Sequence, residues 1–170
     1  MYYDLMRTKL GTILLVGDNE GLKVLNIQDG ERKYPIPSDW EQNEAFFKDV
    51  EEQIGHYLEG DLKDFDVKLA PVGTDFQRKV WDALTMIPYG TTVSYGYVAE
   101  MISNPKASRA VGHANSLNPI QVIVPCHRVV SSSGKLAGYA GGLDVMVELL
   151  KLEGIKTRDR GNGKYSIIPE

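Results

Sequence analysis

The chain has 170 residues, of which 42% are hydrophobic and 25% charged, and a formal net charge of −4, which are ordinary values for a globular protein. No stretch approaches the ~20 apolar residues of a membrane span, and the N-terminus does not resemble a secretory signal, so we expect a cytoplasmic protein (nuclear if eukaryotic) with no membrane partner. The single cysteine, Cys126, excludes an internal disulfide, and the three histidines have no zinc-like spacing, so no metal is predicted.

The acidic net charge argues weakly against a nucleic-acid partner, but its distribution is uneven. Residues 1–72 carry 8 basic and 15 acidic residues, whereas residues 73–170 carry 11 and 8. Between Val93 and Gly142 there is one acid, Glu100, and four basic residues: Lys106, Arg109, Arg128 and Lys135. A surface that faces phosphates is therefore predicted in this window.

The first 72 residues predict a small sheet with one helix. Alternating apolar runs predict short strands, and the tight turns between them predict an antiparallel meander. The predicted elements are strands at 2–8, 12–17 and 22–27, a loop at 29–43, a helix from Ala45 to Glu59 and a further strand at 65–69. This part has no nucleophile, metal cluster or phosphate loop, so it is interpreted as a scaffold.

A second part begins near Gly73. Thr74 and Gln77 have the spacing of a capping box, which predicts a helix start. Two short helices follow at about 94–102 and 107–116, joined by a tight polar turn. This arrangement is typical of a helix-turn-helix, although an ordinary helical hairpin gives the same spacing.

The second helix of this pair carries mostly small side chains, with Arg109 as its one long cation near the start. Small residues allow the backbone to approach a groove wall closely, which favours recognition of DNA shape over sequence. Burial of Arg109 is not expected, because a buried arginine needs a partner. A plain phosphate contact remains open as its role.

Cys126 follows an apolar run, Val122 to Val124, that predicts a buried strand ending at Pro125. Cys126 would then lie at a turn between strands, at the mouth of a pocket. A lone cysteine is often a small buried hydrophobe. However, a neighbouring imidazole and guanidinium, from His127 and Arg128, would stabilise the nucleophilic thiolate.

Two glycine-containing loops and a last helix complete the chain. Residues 131–134 predict a flexible turn, and residues 138–142 predict either a tight linker or a pocket rim with Tyr139 as a stacking face. A helix is predicted from Leu143 to Glu153. Since an acid is disfavoured at a helix C-terminus, Glu153 is either incidental or held by a partner. Residues 165–168 predict a short strand.

The segment Pro125-Cys126-His127-Arg128-Val129 resembles the active-site motif of the O6-alkylguanine-DNA alkyltransferases, the methylated-DNA–protein-cysteine methyltransferases. The resemblance is specific over about residues 74–154 and loose before that. It also includes Tyr95, the stretches 104–112, 118–119 and 138–142, and residues 152–154.

The resemblance implies an α+β fold with two domains. A small N-terminal antiparallel sheet with a helix would occupy residues 1–72. A mostly helical domain with a winged helix-turn-helix-like DNA-binding motif would occupy residues 73–170. It further implies a monomer that acts without a cofactor on double-stranded DNA bearing O6-alkylguanine, with O4-alkylthymine left open as a second substrate.

The resemblance also assigns roles. Cys126 is the nucleophile that keeps the alkyl group, His127 is the base acting through a water, Glu153 stabilises the imidazolium, and Asn118 braces the segment before the cysteine. The target nucleotide would flip out from the minor groove. Base-binding residues would be Tyr95, Val129, Ser132, Tyr139 and Ala140; DNA-binding residues would be Ser94, Tyr95, Gly96, Asn104, Arg109 and Ser132.

Within these assignments, Arg109 would fill the gap in the base stack and Tyr95 would crowd the phosphate. Ala140 stands where some family members carry a serine, so recognition of the purine oxygen would depend on a backbone N–H or on Tyr139. Two rival functions remain open: a Cys-His-Glu thiol hydrolase that turns over, and a non-catalytic lesion-binding helix-turn-helix protein. Family relatives that only bind lack this cysteine.

Overall fold

A computed structural model describes residues 1–28, 34–139 and 141–169. The N-terminal part is a four-stranded sheet in the order β3-β2-β1-β4. Its strands are β1 (Tyr2–Thr8), β2 (Gly11–Asp18), β3 (Gly21–Ile27) and β4 (Glu41–Gln42). The predicted antiparallel meander is confirmed for β1, β2 and β3. The short β4 is a correction, since its two residues pair in parallel with β1 inside the predicted loop.

The predicted N-terminal helix is confirmed, with a 3-10 turn at its start. The 3-10 helix spans Ala45–Phe47, and α1 spans Lys48–Leu58. Side chains of β2 and β3 alternate between the two faces of the sheet. One face packs toward α1 and the main core through Ile13, Leu15, Leu25, Ile27, Ile54 and Tyr57, and the other forms a small separate cluster of Leu14, Val16 and Val24.

The prediction of a strand at 65–69 is wrong. Only Leu69 forms a bridge, to Leu22, and the flanking hydrogen bonds join Leu22 to the backbone of Lys68 and Ala70. The outer edge of β3 is divided between two partners, because Leu25 forms a second bridge with Ile120. No continuous edge of β3 is therefore left for a full strand.

Three helices form the centre of the second part. They are α2 (Asp75–Leu84), α3 (Tyr95–Met101) and α4 (Ser108–Ser116), and they match the predicted positions. The Thr74–Gln77 capping box at the start of α2 is present with both of its hydrogen bonds. Trp81 on α2 donates its indole N–H to the carbonyl oxygen of Ala114 on α4 at 2.9 Å, which joins these two helices.

The remaining elements of the second part are a pair of short strands, one helix and a hairpin. Strands β5 (Val93–Ser94) and β6 (Val129–Val130) pair in parallel, α5 spans Leu143–Leu152, and β7 (Thr157–Gly161) and β8 (Lys164–Ile167) form a hairpin that includes most of the predicted C-terminal strand. Buried side chains from both halves of the chain form one continuous hydrophobic cluster. None of the helices in the described residues is both long and apolar enough to cross a membrane.

Candidate active site

Cys126 begins a one-turn 3-10 helix, Cys126–Arg128, and is 3% exposed. The predicted strand at 122–124 is wrong, because these residues form consecutive turns. Val122 has a positive φ of 72°, and the Cys126 N–H donates to the Val124 carbonyl oxygen at 2.8 Å. Tertiary burial of the valine and isoleucine side chains, rather than strand pairing, accounts for the apolar run. Cys126 therefore does not lie at a turn between two strands.

Asn118 bonds both ends of the segment that precedes the cysteine. Its side-chain amide donates to the Val124 carbonyl oxygen at 2.8 Å, and its side-chain oxygen accepts from the Ile120 N–H at 2.9 Å. The segment is also attached to β3, since the Leu25 N–H donates to Pro119 and the Gln121 N–H donates to Leu25. The backbone that leads to Cys126 is thus held from two sides.

His127 is fully buried, and its Nε2 lies 2.7 Å from Oε2 of Glu153. An ionised carboxylate can only accept hydrogen bonds, so we assign the proton of the neutral imidazole to Nε2. Nδ1 then carries the lone pair, and no described protein group bonds it. The ring is therefore arranged to receive a proton at Nδ1 while Glu153 holds Nε2.

Glu153 caps the C-terminal end of α5 and has four different donors around its two oxygens. Besides His127, Arg128 donates Nε to Oε1 at 2.8 Å and Nη2 to Oε2 at 3.0 Å. The Gly90 N–H donates to Oε1 at 3.0 Å, and the Tyr57 hydroxyl donates to Oε2 at 2.5 Å. Of the two interpretations of Glu153 from sequence, the one in which a partner holds it is confirmed.

Burial and hydrogen-bonding partners have opposite effects on the pKa values of Glu153 and His127. Burial would raise the pKa of Glu153, but hydrogen bonds from His127 and Arg128 outweigh it and hold this pKa well below its usual range. Burial lowers the pKa of His127, although the hydrogen bond to Glu153 opposes that effect. The carboxylate is consequently ionised and the resting imidazole is biased toward its neutral form, as a general base requires.

The sequence analysis did not predict the contacts of Arg128, Tyr57 and the Gly90 N–H with Glu153. Arg128 was expected to face the thiolate, but it faces Glu153 and the carbonyl oxygen of Ile87, at 2.7 Å. Its place beside His127 in the motif was an available signal. Tyr57 carried no such signal, because it lies on α1, 96 residues before Glu153 in the chain. The N-terminal part was interpreted as a scaffold, and a contact between it and Glu153 was not expected.

Two tyrosines of the predicted base pocket lie within electrostatic range of Cys126. Tyr139 is buried and Tyr95 is half-buried; burial raises the pKa of each, and negative charge on Cys126 raises it further. Tyr139 is thus in the interior rather than exposed on a rim. Val129 is buried and pairs with Val93, and Ser132 is exposed on its turn. Ala140 lies outside the described residues.

The predicted DNA-binding residues collect around α3 and α4. Ser94 caps α3 by accepting from the Tyr97 N–H at 3.1 Å, and Gly96 follows in the first turn. Asn104 is exposed in the connecting turn, and Arg109 is exposed on α4 with no ion pair to any described residue. Because Arg128 is buried against Glu153, the exposed cations of the basic window are Lys106, Arg109 and Lys135.

Two cavities among the described residues have volumes of about 700 Å³ and 230 Å³, and neither is lined by Cys126. The larger is bounded by β5, the 131–134 turn and the C-terminal hairpin. Away from the cysteine, His56, Glu59 and Asp61 place potential ligand atoms within 4.8 Å of one another. All three are exposed, and such groups commonly cluster without a cation. This local cluster was missed from sequence because its spacing matches no zinc motif.

The chain is similar to known proteins over nearly its whole length. The family model described as the DNA binding domain of 6-O-methylguanine DNA methyltransferase matches residues 75–155, and the ribonuclease-like domain of the same family matches residues 1–71. The methylated-DNA–protein-cysteine methyltransferase of Methanosarcina acetivorans is 56% identical over 154 residues, which cover 91% of this chain and 99% of that protein.

Two further relatives give the same result. The corresponding methyltransferase of Mycolicibacterium paratuberculosis is 46% identical, over 89% of this chain and 91% of its own. The crystal structure of Mycobacterium tuberculosis OGT in complex with DNA is similar with a TM-score of 0.85 and 43% identity, over 91% of this chain and 93% of that chain.

Proposed function

The chain belongs to the 6-O-methylguanine DNA methyltransferase family, and on that premise we propose that it repairs DNA by moving an alkyl group from O6-alkylguanine onto Cys126. The alkyl-transfer activity and the role of DNA as the partner follow from membership of this family. The observation that supports this chain's own competence is the buried Cys126–His127–Glu153 arrangement, with Nε2 of His127 bound to the carboxylate and Nδ1 left to accept a proton.

In the proposed reaction, the thiol proton of Cys126 passes through a water to Nδ1 of His127, and Glu153 stabilises the resulting imidazolium. The thiolate sulfur attacks the alkyl carbon, an S–C bond forms and the O6–C bond breaks. The electron pair of the broken bond stays on the purine, which takes up the proton that His127 releases and becomes guanine within the DNA strand. In sum, the thiol proton ends on guanine and the alkyl group ends on sulfur.

The thioether product has no leaving route in this arrangement, so each molecule acts once. Asn118 would keep the turn before Cys126 in place through its bonds to Ile120 and Val124. Tyr95, Val129, Ser132 and Tyr139 are proposed to surround the target base, and for Ala140 the proposal rests on sequence alone. Because Tyr139 is buried, we expect the loop that carries it to move when a base enters.

We assign the DNA contacts to α3 and α4 as a winged helix-turn-helix-like unit, with Ser94, Tyr95, Gly96, Asn104, Arg109 and Ser132 as contact residues. Arg109 is exposed and unpaired among the described residues, so its side chain is available to enter the base stack from the minor groove while the nucleotide flips out. We also propose that the chain divides into two domains, residues 1–72 and 73–170, that it is a monomer, and that it is cytoplasmic (nuclear if eukaryotic).

The test is to count methyl groups. A duplex that contains O6-methylguanine is mixed in excess with the protein, and the mass of the intact protein is followed. A gain of one methyl group per molecule supports the proposal, whereas continued conversion of O6-methylguanine to guanine in the duplex beyond one equivalent supports the thiol hydrolase. Tight binding of the lesion without any mass gain supports a lesion-binding protein.

A further inference from the structure

Tyr57 connects the N-terminal part of the chain to the catalytic carboxylate. It lies on α1, its side chain is 0% exposed, and its hydroxyl donates to Oε2 of Glu153 at 2.5 Å. The ring is held between aromatic neighbours: the ring centroids of Phe65 and Tyr89 lie 5.2 Å and 6.2 Å away. The hydroxyl is therefore kept at this oxygen by packing.

The oxygen that Tyr57 reaches is the one that holds His127. Oε2 has three partners: His127 Nε2 at 2.7 Å, Arg128 Nη2 at 3.0 Å and the Tyr57 hydroxyl. Hydrogen bonds to a carboxylate stabilise its negative charge, so each donor makes the oxygen a weaker acceptor for the others. The Glu153 carboxylate is already oriented through Oε1, which accepts from the backbone N–H of Gly90 and from Nε of Arg128.

Building on the function proposed above, we infer that Tyr57 is a positioning residue supplied by the N-terminal part: by sharing Oε2 with His127, its hydroxyl limits how strongly Glu153 attracts the imidazole proton. Tyr57 touches no reacting atom. Its effect on alkyl transfer passes through Glu153 to His127, which has to be neutral before it can accept the thiol proton.

Tyr57 does not exchange protons in this role. Burial raises its pKa far above the usual range, and the negative charge of Glu153 raises it further, so the hydroxyl remains a donor at any pH of interest. The other charged or titratable groups that face the pair come from several elements: Arg128 on the 3-10 helix, Tyr139 on the loop before α5, and Tyr89 after α2 with Lys63 over its ring. Cys126 precedes His127 in the chain and lies near Tyr139.

The sign of the effect follows from this arrangement. In Tyr57→Phe, Oε2 of Glu153 keeps only two hydrogen-bond donors, so its negative charge is less stabilised. The imidazolium of His127 gains stability because it then interacts more strongly with this oxygen. The pKa of His127 therefore rises, and its acid dissociation constant falls about three- to tenfold. Since protonated His127 cannot accept the thiol proton, the acid limb of the rate profile moves to higher pH by the same amount.

The experiment measures two quantities on the full-length protein. Imidazole ¹⁵N NMR gives the pKa of His127, and single-turnover transfer from free O6-benzylguanine at pH 5–9 gives the acid limb without DNA binding. Tyr89→Phe is the matched control, because its hydroxyl donates at 3.1 Å to the Leu152 carbonyl oxygen and not to Glu153. A third protein carries 3,5-difluorotyrosine at position 57, whose more acidic hydroxyl is a stronger donor of the same shape.

The inference requires an upward shift in Tyr57→Phe, a downward shift with difluorotyrosine and no shift in Tyr89→Phe. If Tyr57→Phe does not fold, the difluorotyrosine protein alone decides through the direction of its shift. Coincident profiles for the wild type and the position 57 proteins, or equal shifts in Tyr89→Phe, would overturn it. A wild-type protein that takes no alkyl group would instead contradict the proposed function, so the two failures are distinct.

Discussion

Arg128 and Glu153 form a buried, two-pronged ion pair, with Nε to Oε1 at 2.8 Å and Nη2 to Oε2 at 3.0 Å. This pair explains how a carboxylate can remain ionised at the end of α5, where the helix dipole and burial both oppose its charge. It also makes Arg128 part of the support for His127 rather than a contact for DNA phosphate.

The first prediction concerns Glu153 itself. We expect Glu153→Gln to slow alkyl transfer by about 10²–10⁴, because the imidazolium of His127 loses its counter-charge. The same change leaves Arg128 buried without its partner, which should lower the free energy of unfolding by about 3–5 kcal/mol. Rate and melting temperature are measured together, and Glu100→Gln, an exposed carboxylate, is the control. A folded Glu153→Gln protein with an unchanged rate at pH 6–9 would remove Glu153 from the mechanism.

The second prediction concerns where the alkyl group ends. After reaction with methylated duplex, peptide mapping should place a single methyl group on Cys126, because no described residue is arranged to remove it. Cys126→Ser should gain none, since a hydroxyl is a far weaker nucleophile than a thiolate at neutral pH. Methyl transfer to the serine variant, or to any other residue at the same rate, would contradict the assignment.

The third prediction separates DNA handling from chemistry. Arg109→Ala should slow repair of duplex DNA far more than it weakens binding to undamaged duplex, because an inserted side chain offsets part of the cost of unstacking. Reaction with the free O6-alkylguanine base needs no flipping and should be nearly unchanged. The measurement is the transfer rate on duplex, single strand and free base.

Lys106→Ala is the matched control for Arg109, since it removes an exposed cation from the turn just before α4. A plain phosphate contact should lower binding and reduce the salt slope by about one unit, with little change specific to duplex repair. If Arg109→Ala gives equal losses on all three substrates, Arg109 supports the fold or the pocket, and the flipping role is wrong.

The fourth prediction concerns pH and a carboxyl pair in the N-terminal part. Asp4 is buried, accepts from Gln42 at 3.1 Å and shares a hydrogen bond with Glu51 on α1. Burial, together with the neighbouring Asp4, raises the pKa of Glu51 to about 8. Below about pH 8, Glu51 is therefore protonated in the folded state, whereas in the unfolded chain it is ionised above its ordinary pKa of 4.5.

Because the folded state holds the extra proton, stability from this group is present at low pH and is lost as pH rises toward 8. Glu51→Gln cannot ionise, so it should be more stable than the wild type at pH 8–9 by about 1–2 kcal/mol after allowance for solvent screening, and equal near pH 5. Urea unfolding at pH 5, 7 and 9 measures this, with the exposed Glu52→Gln as control. A difference that does not depend on pH would contradict the shared proton.

Features that depend on neighbours in the chain could be predicted from the sequence. The meander follows from strand alternation and tight turns, the start of α2 follows from the reciprocal Thr74–Gln77 bonds, and the positions of α3 and α4 follow from their polar connection. The motif around Cys126 likewise identified the family, because its chemistry is concentrated in five consecutive residues.

Features that depend on distant partners were decided only by the tertiary structure. Val122 to Val124 have the composition of a strand, but their burial in turns with a positive φ at Val122 is set by Asn118 and by β3, which binds the segment from the other half of the chain. The strand expected at 65–69 does not form, because part of the β3 edge pairs with Ile120 instead. Tyr57 reaches Glu153 only because α1 packs into the common core, and local propensity holds no information on which buried donor will meet which acceptor.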